Sequence, residues 1–270
     1  MISMGLVWDR AMAVISGRLG ILLSLAVILL ILPPVAQAGL EAISDTSFAL
    51  RSTKFAASLL VFIAATISAI AMTAVASDPA VDQGAALAIG RRRLGPFIGV
   101  SLLIGLLFAV AMIPGAVLIG LAGFDVAQAR AGGVPDGVNM PLLGAGLLYF
   151  IVLMPVMLWA AARLLPLSAV IVNERRGAGA IRRSFALTRG SSLKLMGVLI
   201  LYGLVFLVVL MAATSVVGVV ARLLAGADSP VIVSLVIAAV TAVVTALFSI
   251  LQMVFAAQLY LAAREAHDAA

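Results

Sequence analysis

Six long apolar stretches separated by short polar ones set the plan of this chain: residues 19–38, 55–76, 97–121, 141–162, 195–221 and 231–263. A helix rising 1.5 Å per residue needs about 20 apolar residues to cross about 30 Å of hydrocarbon, and each of the six meets that length. No Asp, Glu, Lys or His falls inside any of them. The pattern predicts an all-α polytopic bundle of six transmembrane helices, built as a single integral membrane domain over residues 1–270.

The fourth stretch is too long for one crossing. From Pro141 to Asn173 the chain is apolar but for Arg163, about 50 Å if helical throughout. A break is therefore expected near Arg163 and Pro166. Arg163 would snorkel at the interface, and "LLPLSAVIV" would run shallowly along it or dip back in as a short bend. Glu174, at the far end, is expected to pin the bend by pairing with Arg163 or by capping the next helix; a solvated loop acid is the alternative.

Composition agrees with immersion in lipid. The chain is 64% hydrophobic and 10% charged, with a mean hydropathy of +1.28, where soluble domains are about 45–50% apolar and about a quarter charged. There is no Cys, which excludes disulfides, thiolate metal sites and Cys nucleophiles. The one His, His267, lies close to the end and reads as a tail residue. Basic residues are nearly all Arg, with Lys only at Lys54 and Lys194, which points to a bacterial, GC-rich source.

The net charge of +6 reflects topology rather than a nucleic-acid surface, because the basic residues sit beside apolar spans instead of being interleaved with aromatics. With the N-terminus inside, thirteen basic residues fall on the inner side: Arg10, Arg18, Arg91, Arg92, Arg93, Arg163, Arg175, Arg176, Arg182, Arg183, Arg189, Lys194 and Arg264. Only Arg51, Lys54, Arg130 and Arg222 fall outside. That bias predicts cytoplasmic termini and a multi-pass protein of the bacterial inner membrane. A cleavable signal peptide is the competing reading of the start, from Arg10 and Arg18, the apolar run and the "AQA" of residues 36–38. The long helical stretch before the run, which recurs later, favours a retained first span.

That recurring stretch has an acidic residue, a short Ala/Gly-rich segment, bases and then a span. The copies are "DRAMAVISGRLG" from Asp9, "DQGAALAIGRRRLG" from Asp82 and "ERRGAGAIRRSFALTRG" from Glu174. Acid at a helix start and bases at its end suit the helix dipole. The expected architecture is three units, each an interfacial helix feeding a two-span hairpin. In the third copy Ala178, Ile181 and Phe185 fall on one side, with Arg175, Arg176, Arg182, Arg183 and Arg189 broadly on the other. Such a helix lies in the headgroup layer, where each base contributes about 1 kcal/mol toward anionic lipid. Gly190 reads as a helix stop, and Ser191 and Ser192 as the cap of the next helix. Arg91, Arg92 and Arg93 join the third-copy arginines as candidate contacts to anionic membrane lipids or to the acidic surface of a protein partner.

From Arg163 to Gly190 the sequence resembles a known family. Arg163 closing span four, Pro166 in an apolar stretch, Glu174, Gly177, the Ile181-Arg182-Arg183-Ser184 segment and the Leu187-Thr188-Arg189-Gly190 run resemble the six-span family named for the membrane domain of glycerophosphoryl diester phosphodiesterases. The specific part covers about 30 residues and the six-span layout most of the chain. In some members the membrane part is fused to a catalytic barrel. That barrel and its acidic and histidine metal motifs are missing here, so the resemblance implies no phosphodiesterase activity.

The residues point away from catalysis. All the acidic residues lie in loops, tails or interfacial stretches, none forms a helical ligand pair with a histidine, and neither a phosphate loop nor a Gly-x-Ser-x-Gly elbow occurs. No enzyme, metal or cofactor is expected. Transport or lipid handling is the functional rival: Pro114-Gly115 interrupts span three and Pro155 span four, which would place a site between them. Small residues at intervals of four, Ala65, Ala69 and Thr73 in span two and Ala238, Ala242 and Ala246 in span six, predict the bundle centre there. Residues 204–210 of span five should face lipid. The favoured expectation is a non-enzymatic accessory or scaffold module.

Overall fold

The computed structural model describes residues 3–44, 47–124, 137–225 and 229–268; Arg130, counted above as an outer base, lies outside them. The described residues are helical and contain no strand. In chain order the helices are α1 (Met4–Ala26), a π turn (Val27–Ile31), α2 (Leu32–Glu41), α3 (Phe48–Ser77), α4 (Gln83–Leu121), α5 (Met140–Arg163), α6 (Leu167–Asn173), α7 (Gly179–Leu187), α8 (Ser192–Ala225) and α9 (Pro230–Asp268). Six helical stretches are long and apolar enough to cross a membrane, so the chain is a multi-pass membrane protein. The arm of α1, the turn from α3 to α4, α6, α7 and the last turns of α9 come together at one end of the bundle, called here the basic face.

The first crossing is assembled from pieces. Arg18 departs from helical geometry at φ −127°, ψ 21° and kinks α1, so residues 4–17 form an arm distinct from the span. Further on, Pro33 and Pro34 bring no N–H to the carbonyls of Leu29 and Leu30, and the chain widens into the π turn before α2. Asp82 does what the dipole argument asks of it: its carboxylate accepts from the Ala85 N–H at 2.7 Å and opens α4.

The repeat takes a different form from the three separate interfacial helices expected. The first basic segment is the kinked arm, the second is the opening of the unbroken 39-residue α4, and only the third forms a helix of its own, α7. Asp9 sits within α1 rather than at its start, and Glu174 ends α6 without capping α7. The reason is local: Gly177 and the left-handed Arg175 (φ +55°) break the third copy from its neighbours, whereas nothing in "DQGAALAIGRRRLG" stops a helix.

Packing is concentrated toward the basic face. Over its most apolar stretch α3 is 56% buried, against 6% for α4, the α5–α6 segment and α8. Thr73, Ala242 and Ala246 are buried as the small-residue spacing anticipates, while Ala65, Ala69 and Ala238 are half-buried. Leu204, Leu207 and Val208 of α8 are exposed toward the lipid. The α6 segment does not face lipid: Ser168, Ala169, Val170 and Ile171 are all buried, and the segment packs with Val100, Ala180, Leu187, Tyr260 and Ala263. It packs into the basic end of the bundle as a plug.

Candidate functional site on the basic face

The plug brings polar groups into the bundle, and the sequence supplies partners for them. Pro166, buried, begins α6 and Glu174 ends it, so both residues assigned to the bend lie at the ends of this one element. Arg163, the third, closes α5. Its Nε donates to Ser192 Oγ at 2.8 Å and Nη1 to the Phe185 carbonyl at 3.5 Å. The guanidinium lies over the Trp159 ring at 4.9 Å and the Phe185 ring at 5.5 Å, and the Arg163 carbonyl accepts from Ser184 Oγ at 2.7 Å. Arg163 therefore does not snorkel freely; it ties α5, α7 and α8 into one corner.

Glu174 makes its ion pairs with other arginines than Arg163. Its carboxylate takes Arg183 Nε at 3.0 Å and Arg176 Nε at 2.9 Å and accepts from the Tyr260 hydroxyl at 3.3 Å. The side chain is 14% exposed and that of Arg183 22%, so water screens this pair less than a surface one. Glu174 thus neither pairs with Arg163 nor caps α7; its partner is the arginine that the helical wheel sends outward. With Asn173, Arg264 and Asp268 these groups line a polar hollow of about 350 Å³.

The other proposed contact residues remain outside this network. Arg91, Arg92, Arg175, Arg182 and Arg189 are exposed and Arg93 is half-buried; among the described residues none makes an ion pair. The apolar side of α7 is also redrawn: Ala180, Ser184 and Leu187 are buried, Ile181 and Phe185 flank them, and Ala178 is exposed. The hydroxyl of Ser184 reaches the Arg163 carbonyl, which is why a serine occupies the buried side.

One functional group escaped the sequence reading altogether. Arg18 donates to four backbone carbonyls around the end of α3: Val75 at 2.7 Å, Asp78 and Pro79 at 2.9 Å, and Val81 at 2.6 Å. Helix ends leave carbonyls without intrahelical partners, and the guanidinium fork satisfies several at once while facing the negative end of the helix dipole. Gln258 of α9 donates to the adjacent Ala76 carbonyl at 2.7 Å, and Asn173 to Ser77 Oγ at 3.1 Å. A basic residue before a span signals topology; nothing in its neighbourhood marks a helix end 57 residues away.

Spans three and four are in close contact at Gly115 and Gly146. A Cβ on Gly115 would lie 2.7 Å from Tyr149 Cδ1 and 2.8 Å from the Phe150 ring, and one on Gly146 2.7 Å from Ile119 Cγ1 and 3.3 Å from the Gly115 carbonyl. The Tyr149 hydroxyl donates to the Ala111 carbonyl at 2.6 Å, next to Val110, whose carbonyl Pro114 leaves without its helical N–H. Tyr149 thus packs on the Ala111–Gly115 turn of α4. In comparisons with family models, curated proteins and solved structures, nothing matches this chain.

Proposed function

We propose that this chain is a non-enzymatic accessory or scaffold module of a bacterial inner membrane, with both termini cytoplasmic and its basic face holding anionic lipid headgroups. The observation that carries the reading is the division among the arginines. Arg176 and Arg183 are held by Glu174, whereas Arg91, Arg92, Arg175, Arg182 and Arg189 stand exposed without ion pairs among the described residues. Five such charges at an anionic surface contribute about 1 kcal/mol each. The resemblance to the six-span family of phosphodiesterase membrane domains rests on residues 163–190 and adds no activity to this reading.

Transport through a site between spans three and four is the second reading. It requires space near Pro114 and Tyr149, and the contacts at Gly115 and Gly146 weigh against it.

Native mass spectrometry of the protein released from its own membrane tests the proposal, with Arg91→Gln/Arg92→Gln and Arg182→Gln/Arg189→Gln as variants. Anionic phospholipid adducts retained by the wild type and reduced in both double variants are expected. Adducts unchanged in the variants, or a small polar molecule bound equally in all three proteins, would move transport to first place. Retention of an acidic protein in place of lipid would overturn the lipid assignment.

A further inference from the structure

Arg18 and Arg183 find their counterparts within the protein, four backbone carbonyls for the first and the Glu174 carboxylate for the second. Arg163, also part-buried, does not. It pairs with no carboxylate among the described residues. Its acceptors are the Ser192 hydroxyl at 2.8 Å and the Phe185 carbonyl at 3.5 Å, the second beyond the usual length of a hydrogen bond.

A guanidinium carries five N–H donors in one plane. In Arg163 the Nη2 donors meet no acceptor among the described residues. No buried side-chain polar atom among those residues lacks a partner, so Nη2 opens outward from the corner of α5, α7 and α8. The rigid fork sets one Nη2 hydrogen beside the Nε–H, on the Ser192 side. The Ser192 hydroxyl accepts from Nε and gives its own hydrogen to nothing among the described residues. Two kinds of donor are therefore left over at one edge.

The cation is also held still. It lies over the Trp159 ring at 4.9 Å and the Phe185 ring at 5.5 Å, and those rings meet edge to face at 5.8 Å. A fork fixed in this way loses little freedom on taking a ligand. Arg163 closes α5, whose 24 residues suffice for one crossing, so the fork lies at the edge of the hydrocarbon. Trp159, one turn deeper, is 39% exposed, and Leu193, next to Ser192, is 80% exposed, so lipid reaches the corner. The anion found at that depth in every leaflet is the phospholipid phosphate, and its two unesterified oxygens match a planar fork.

We propose that this corner holds the phosphodiester of one phospholipid, Arg163 Nη2 donating to one free oxygen and the Ser192 hydroxyl to the other, with an acyl chain beside Trp159. The site rests on the basic face lying at a headgroup layer, as the reading above does, but it recognises phosphate rather than net charge. A zwitterionic phospholipid fills it, and emptying it leaves the anionic adducts of the exposed arginines as they are.

The test reloads the delipidated full chain in detergent with phosphatidylcholine, which has no net charge, and counts adducts by native mass spectrometry. One adduct that survives collisional activation is expected, and Arg91→Gln/Arg92→Gln keeps it. Because truncating Arg163 loosens the corner itself, the variants act on Ser192. Ser192→Ala removes one donor and should weaken binding about fivefold. Ser192→Asp sets a carboxylate against Arg163 at the start of α8 and should abolish the adduct while the unfolding midpoint holds or rises; if the midpoint falls, Ser192→Ala decides. Diacylglycerol, with the same chains and no phosphate, should not bind. No adduct in the wild type, an adduct equally tight in both Ser192 variants, or diacylglycerol held as firmly would overturn the proposal. Displacement of the lipid by inorganic phosphate would overturn the phospholipid as the source of the phosphate.

Discussion

Replacing Arg18 with Ala tests the strongest structural inference, because one side chain serves four carbonyls on another part of the chain. A hydrogen bond from a charged donor contributes about 1.5–3 kcal/mol. Asp78 and Pro79 carbonyls lie at exposed positions where water replaces the guanidinium, so their loss costs little. The Val75 and Val81 bonds are part-buried, and those two alone set the expected loss at about 3–6 kcal/mol. Arg18→Lys keeps the charge near the helix end but not the fork, and should lose about half as much, since an ammonium cannot span carbonyls on both sides of the turn.

The assay is reversible unfolding in bicelles by sodium dodecyl sulfate, read by tryptophan fluorescence, with Arg10→Ala beside it. Arg10 pairs with Glu265 at 3.0 Å, but the two side chains are 37% and 62% exposed, so its loss should cost about 1 kcal/mol or less. Both variants remove one positive charge from the same face, and an effect on insertion topology would move them together. If Arg18→Ala falls within about 0.5 kcal/mol of Arg10→Ala, the carbonyl clamp does not hold the end of α3 and the reasoning is wrong.

Glu174→Gln leaves Arg183 and Arg176 without their anion; because the pair is mostly buried, a loss of about 1–3 kcal/mol is expected in the same titration, and unchanged stability together with unchanged membrane level would show Glu174 to be only a loop acid. Gly146→Ala drives a methyl into Ile119 and the Gly115 carbonyl and should cost about 1–3 kcal/mol by overpacking, whereas Gly144→Ala, with open space at its Cβ, serves as the neutral control. Arg163→Lys loses the stacking on Trp159 and Phe185 and should lower stability by about 0.5–2 kcal/mol, with Trp159 fluorescence shifting as its cation leaves.

The fold was legible because burial in lipid writes itself into sequence as length: about 20 apolar residues in a row allow little besides a spanning helix. The break near Pro166 was legible for the same reason, since the run exceeded one crossing. The fate of "LLPLSAVIV" was not, because an apolar segment at an interface satisfies the same pattern whether it faces lipid or plugs the bundle. Only the positions of α3, α4 and α9 decide that Val170 and Ile171 are covered. Likewise Arg163 and Glu174 were identifiable as polar residues in an apolar setting, but which partner each would take depends on how α7 folds back. The wheel assigned Arg183 to the water side from angle alone; the acid of Glu174, nine residues earlier, turns it inward.

The positive-inside pattern gives every arginine of the basic face the same meaning, yet their surroundings divide them. Arg18, Arg163 and Arg183 are part-buried and bonded to defined acceptors, so truncating them leaves unsatisfied carbonyls or a half-buried carboxylate short of one of its partners. Arg91, Arg92, Arg182 and Arg189 are exposed and unpaired among the described residues, so truncation removes only their interaction with whatever lies outside the protein. The two groups carry the same charge and should separate cleanly in experiment. Gln substitutions in the first lower the unfolding midpoint and leave lipid adducts in proportion to folded protein; in the second they leave the midpoint within about 0.5 kcal/mol and reduce the adducts. A second-group variant that unfolds early would mean its arginine is bonded within the protein. First-group variants that keep full stability but lose lipid would mean the network around Glu174 is itself a headgroup site, because an anion entering the hollow beside Arg176, Arg183 and Arg264 would compete with Glu174 for the same donors.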